Sequence, residues 1–398
     1  MSKKFIIITT VFIDVLGMGI IIPTLPFYVE SFGASALTVT LLFSIFAFFA
    51  FFSAPFLGSL SDKIGRRPIM ILSICSTALG WLVFASAQNI WFLFLGRSID
   101  GIAAGNFSTA QSYLTDIAKD DKERTKNLGV IGATFGVALI VGPALGGLLS
   151  QISPTFPFWF VGALAMLNAI NAYFNLPESH LNRNKNTKIS LNPFVPIVNI
   201  LNDKKILPGF LVWFLFGLAV HIQQAVFALY LGKEFLLGAF ASGIFMTGVG
   251  IIIILNQGLL LSNFWLKKFK EKDLEIFMML VFATGFFLLS TSVLGIFIVG
   301  LIGVTFGQSI LRIVLTSQIV GNASEKKGEI FGAMTSIMSL AMIAGPFLAG
   351  ALFIYYSNLP FIFSGIFSLI SLAILYFNRK KMDKFDVGVK AQNDQTII

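Results

Sequence analysis

Twelve long apolar runs dominate this sequence: 5–29, 36–57, 69–87, 91–115, 128–150, 157–176, 208–231, 239–261, 274–292, 295–320, 329–353 and 359–378. A bilayer core about 30 Å thick needs roughly 20 apolar residues per helical crossing, so each run is long enough to be one span. The strands of a transmembrane β-barrel alternate over about ten residues, and these runs are longer and do not alternate. Only 12% of the 398 residues are charged and 56% are hydrophobic, a balance that suits lipid as the main solvent. The expected fold class is therefore an all-α membrane protein of twelve transmembrane helices. The first run lacks a small-residue cleavage site and is expected to be retained as a helix. The single cysteine, Cys75, falls inside the third run and excludes an intramolecular disulfide.

The formal net charge of +9 could suggest nucleic acid, but its distribution points to topology. With the N-terminus inside, 25 of the 28 basic residues fall on inner segments. Only Lys233 falls on an outer one, while Arg97 and Arg312 lie within spans. This positive-inside bias sets orientation without a nucleic-acid partner. It predicts a cell inner (plasma) membrane protein with both termini cytoplasmic.

The connection 177–207 is long, polar and basic, and it divides the chain six spans by six. GVIGATFGVALIVGPALGGLL from Gly129 and GAMTSIMSLAMIAGPFLAGAL from Gly332 share eight identities in 21 positions at a shift of 203. The expected organisation is an N-terminal six-helix half at 1–176, a cytoplasmic loop at 177–207, a C-terminal half at 208–380 and a disordered tail at 381–398. Parallel repeats of this kind occur in secondary transporters, whose substrate site lies between the halves. A small-molecule substrate, protons and lipid are the expected partners of a monomer.

Between spans two and three lies GSLSDKIGRRP (58–68). Gly58 and Gly65 let helices end and backbones approach, and Asp62 can pair with Arg66 or Arg67. Two readings stand side by side: a solvated topogenic loop, or a cytoplasmic latch made in one state and broken in another. The stretch resembles the loop signature of the major facilitator superfamily. DVLGMGIIIPTLPFY (14–28), GRSIDGIAAGNFSTAQSYLTD (96–116) and GVALIVGPALGG (136–147) are similar to patterns of its twelve-span drug/proton antiporter branch, the tetracycline-efflux type most of all. The matches cover mainly residues 5 to 180. In the second half only the hydropathy and the span-eleven GPFLAG resemble the family.

Asp14 lies in the body of span one, where an acid costs about 2.5–3.5 kcal/mol on insertion scales and normally faces protein or water. It is a candidate for proton exchange, with a polar packing contact as the alternative. The resemblance implies a proton-coupling role for an acid here. In span four, a regular helix would put Arg97, Asp100, Ala104, Ser108 and Gln111 within about 80° of one another. Such a stripe lines an aqueous cavity or a protein interface. Arg97 and Asp100 can neutralise each other, or Arg97 can tune the protonation of Asp100 or Asp14. In span five, Gly136, Gly142, Pro143, Gly146 and Gly147 allow close packing, and the resemblance adds a sealing role. In the second half, His221 with Gln224 and Gln308 with Arg312 each share a helix face and are candidate cavity residues.

No P-loop, HExxH or GxSxG occurs, so ATP as a direct energy source, a metal site and a nucleophile constellation are all unexpected, as is any cofactor. The favoured expectation is a proton-coupled secondary transporter exporting small amphiphilic compounds. An importer or uniporter on the same scaffold and a non-transporting membrane receptor remain open alternatives.

Overall fold

A computed structural model describes residues 3–180, 192–195, 197–198, 206–321 and 327–394, and no strand occurs among them. The first seven helices are α1 (Lys3–Glu30), α2 (Ala36–Ile64), α3 (Arg66–Ala85), α4 (Ile90–Ile102), α5 (Asn106–Asp116), α6 (Asp121–Leu149) and α7 (Phe156–Asn175). After the long connection come α8 (Leu207–Phe235) and α9 (Ala239–Leu255), then a π-helical stretch (Asn256–Trp265) and one further turn, α10 (Leu266–Lys268). The series closes with α11 (Glu271–Leu289), α12 (Leu294–Gly321), α13 (Lys327–Tyr355) and α14 (Leu359–Asp394).

Ten of the described helices are long and apolar enough to cross a bilayer. The fourth span is divided between α4 and α5, and the ninth, α11, opens with Glu271, Lys272, Asp273 and Glu275. With those two, the twelve expected spans are present in a multi-pass membrane protein. The last helix runs on to Asp394, through residues expected to be disordered.

Local chemistry sets the boundaries. Gly33, with φ 68°, turns the chain between α1 and α2, and Ser35 caps α2 by accepting from the Thr38 N–H. Gly65 at φ 114° separates α2 from α3 in a conformation that favours glycine. Asp120 caps α6 by accepting from Glu123 N–H, while the Glu123 carboxylate accepts from Lys119 N–H at 2.9 Å and pairs with Lys4 of α1.

Two compact units emerge. One takes the described part of Met1–Val195 with His221–Ile254 and Met342–Pro360; the other takes that of Pro196–Val220, Leu255–Ala341 and Phe361–Ile398. In the first unit, Tyr28 donates to the Phe84 carbonyl at 3.1 Å, and Trp81 and Phe158 stack 6.0 Å apart. Small residues bring helices together where lipid offers no hydrophobic drive. A Cβ on Gly80 would lie 2.8 Å from the Gly96 carbonyl, joining α3 to α4. In the second unit Gly285 and Gly300 join α11 to α12 in the same way, with 3.0 Å from a Cβ on Gly285 to the Gly300 carbonyl.

The internal repeat reappears as matched contacts. Gly142 lies against Leu16 and Gly19 of α1, and Gly345, 203 residues on, lies against His221 and Ile222 of α8.

Candidate functional site

Asp14, Asp100, Asn106, Thr77, Trp81 and Phe46 line one cavity of about 250 Å³ in the first unit. The break in span four shapes it. Helix α4 stops at Ile102, and Ala103–Gly105 form a turn in which the Ala104 and Gly105 N–H groups bond back to Gly101 and Ala103. A Cβ on Gly105 would touch Leu57, and one on Gly101 would lie 2.7 Å from the Phe46 carbonyl, so the turn is pressed against α2.

This turn corrects the helical projection of span four. Arg97 and Asp100, before the break, are buried and point inward as expected. Ser108, after it, is exposed and bonds the Gly105 carbonyl, and neither Ser108 nor Gln111 lines the cavity. Asn106 takes the inward place. It shares the cavity wall with Asp14 and donates to Thr77 Oγ1 at 3.4 Å.

Arg97 Nη1 donates to Asp100 Oδ2 at 3.0 Å and Nε to the Leu42 carbonyl at 3.4 Å. Its guanidinium lies 4.3 Å over the Phe46 ring and 5.5 Å from that of Trp81. Charge pairing and the two aromatic faces together make a buried arginine tolerable. Thr77 lines the same cavity as Asp100. The half-buried carboxyl of Asp14 is thus bordered by a neutralised ion pair and two neutral polar side chains.

The 58–68 turn is knitted by more residues than its own. Arg66 is buried, with Nε on Asp116 at 3.1 Å, Nη1 on Ser61 at 2.6 Å and an ion pair to Asp62. Glu178 spans the start of α3, accepting from the Arg66 N–H at 2.8 Å and the Arg67 N–H at 3.3 Å. Partial burial pushes this carboxyl up, but N–H donors from His180, Arg66, Arg67 and Ser179 outweigh it and hold it below the usual range. Arg67 reaches the Tyr173 carbonyl at 2.7 Å. Gly58 has open space about it.

The span-five motif sits at a tight helix seam within the first unit. Gly142 and Gly146 face α1, while Gly147 faces Phe240 and the Pro143 carbonyl presses on Gly243, both of α9. Thr247 donates to the Ile140 carbonyl at 3.3 Å. Gly136 is looser: a Cβ there would stand 3.8 Å from Ile254. Ser44 of α2 donates to the Ile343 carbonyl of α13 at 2.8 Å, a second seam of the same unit.

His221 and Gln224 are half-buried in the first unit. Gln308 is half-buried and Arg312 exposed in the second, and the Arg312 guanidinium makes no ion pair among the described residues. Asn106, Thr77, Asp116, Glu178 and Glu275 are not singled out by sequence reasoning. Glu275, buried on α11 beside Gln318, does lie just inside its apolar run, which is the signal that finds it.

Known proteins place this arrangement. The Major Facilitator Superfamily model matches residues 7–272 and 258–394. The chain is 28% identical to the class C tetracycline resistance protein of Escherichia coli over 88% of itself and 90% of that protein. It is 26% identical to the quinolone resistance protein NorA of Staphylococcus aureus over 99% of itself and 100% of that protein. Among solved structures, the nucleoside transporter NupG superposes with a TM-score of 0.75 at 16% identity, covering 96% of this chain and 99% of its own. The human organic anion transporter MFSD10 gives 0.68 at 21%, covering 94% and 98%. The chain belongs to the Major Facilitator Superfamily.

Proposed function

We propose that this protein exports small amphiphilic compounds in exchange for protons, by alternating access of two six-span halves, 1–176 and 208–380. The observation that carries the reading is Asp14: a carboxyl within span one, facing a cavity whose other charges cancel as the Arg97–Asp100 pair. The cavity's net charge then changes with the Asp14 proton. A proton and a substrate that both need this carboxyl compete for it, and such competition couples their opposite movements.

Relatives named for resistance to tetracycline, quinolones and multiple drugs support amphiphilic compounds as cargo and export as direction. Phe46, Trp81, Phe107 and Phe135 give the cavity apolar walls for such molecules. The glycine-dense seam of α6 with α9 and the Ser44–Ile343 seam of α2 with α13 support a closure that forms on one side and parts when the halves rock. The basic residues support an inner-membrane orientation with both termini cytoplasmic, and the 58–68 network a latch on that side.

The test uses protein in liposomes with a pH-sensitive dye inside and an imposed proton gradient. Adding amphiphilic drugs should move protons against the drug, and Asp14→Asn should abolish that movement. Drug equilibration without proton movement, unchanged in the variant, would replace the antiporter by a uniporter.

A further inference from the structure

At the Glu30 end of α1, on the face opposite the basic turns, a second cavity of about 450 Å³ lies within the first unit. Two opposite charges line it, Glu30 and Lys233, and neither belongs to an ion pair among the described residues. Both are exposed, and Lys233 holds its ammonium 5.2 Å from the Phe353 ring centroid. The adjacent acid Glu234 is engaged with Ser357 and turned to another use. Pro26, Phe27 and Phe353 supply apolar wall between the charges.

The backbone is unusual at the same place. Helix α8 closes with the Leu237 N–H on the Leu231 carbonyl, which puts Leu236 in the left-handed region at φ 55°. Glycine is the usual residue there, because a side chain strains that conformation. Leu236 nevertheless presents its side chain to the cavity and stays 89% exposed, so the described chain gives little packing in return. Strain without internal return points to a binding surface.

We infer that this cavity is a binding site for zwitterionic amphiphiles, with the cationic group toward Glu30, the anionic group toward Lys233 and the apolar body against Phe27, Phe353 and Leu236. A simple anion would meet Glu30 and a simple cation would meet Lys233, whereas a zwitterion satisfies both charges. Identifying the occupant as departing cargo rests on the export reading; the binding itself does not.

Three probes sharing one fluorescent body test this in lipid nanodiscs, with empty discs subtracted: ε-dansyl-lysine (zwitterion), dansylcadaverine (cation) and dansylaminohexanoate (anion). The zwitterion should bind about tenfold more tightly than either relative. Glu30→Gln should let the anion bind as well as the zwitterion, and Lys233→Gln should do so for the cation. Leu236→Gly should weaken all three by about threefold, as expected for lost apolar contact. Equal binding of the three probes, or a zwitterion preference unchanged in both charge variants, overturns the assignment. So does loss of the preference in Asp14→Asn, which would place the probe in the other cavity. A preserved preference with no proton-coupled export would leave this site standing and remove the export reading alone.

Discussion

Arg97 donates to Asp100 one helical turn away at 3.0 Å, and the pair is sealed between Phe46, Trp81 and the Leu42 carbonyl. Removing one member strands a buried charge, which costs about 3–5 kcal/mol when a buried pair is broken. Arg97→Gln and Asp100→Asn should each lower the thermal midpoint of the purified protein, and the double variant should recover much of the loss. A double variant no better than the sum of the singles would show that the two charges do not neutralise each other.

Asn106 predicts a more local effect. It lines the cavity beside Asp14, so Asn106→Ala should leave folding intact and lower proton-coupled flux by up to about tenfold, the worth of one hydrogen-bonding group lost from the cavity wall. Ser108→Ala and Gln111→Ala, outside the cavity, should leave flux near wild type. A flux loss in those two larger than in Asn106→Ala would restore the regular-helix projection of span four.

That projection shows where sequence legibility ends. The twelve runs and the halves' repeat are readable because hydropathy and glycine spacing are properties of the chain itself. The turn at Ala103–Gly105 is not, because no proline or other strong helix breaker marks it, and its two flanking glycines, pressed against Phe46 and Leu57 of α2, take their meaning from that contact. Asp14, Arg97 and Asp100 are legible as charges out of place in apolar runs. Thr77 and Asn106 are ordinary polar residues until α1, α3 and α5 bring them together. Glu178 meets Arg66 across 112 positions, a pairing no local pattern announces.

Glu178 gives a pH prediction. Its carboxyl is held below its usual range when folded, so the stability it adds is present above the unfolded value near pH 4.3 and is lost as pH falls through the folded one. Glu178→Ala should remove the acceptor at the start of α3 and cost about 1–2 kcal/mol at neutral pH, as losing a helix cap does. The variant should also lose part of the wild type's acid sensitivity, read as thermal midpoint against pH between about 3 and 6. Parallel profiles for the two proteins would contradict this.

The α6–α9 seam predicts a steric sensitivity. A Cβ on Gly243 would run into the Pro143 carbonyl and crowd Gly147, so Gly243→Val should cost about 1–3 kcal/mol and reduce flux. The same change at Gly248, which has open space, should be tolerated. Equal behaviour of the two variants in melting and flux assays would mean that the seam is not tight.

The central claim is that proton and substrate compete for Asp14, and the most direct measurement is proton release on binding. Purified protein in weak buffer near neutral pH is mixed with a transported amphiphile while a dissolved pH dye is followed. The account predicts protons released in proportion to compound bound, and none from Asp14→Asn. Binding that releases no protons from the wild-type protein, or the same number from both proteins, would contradict it.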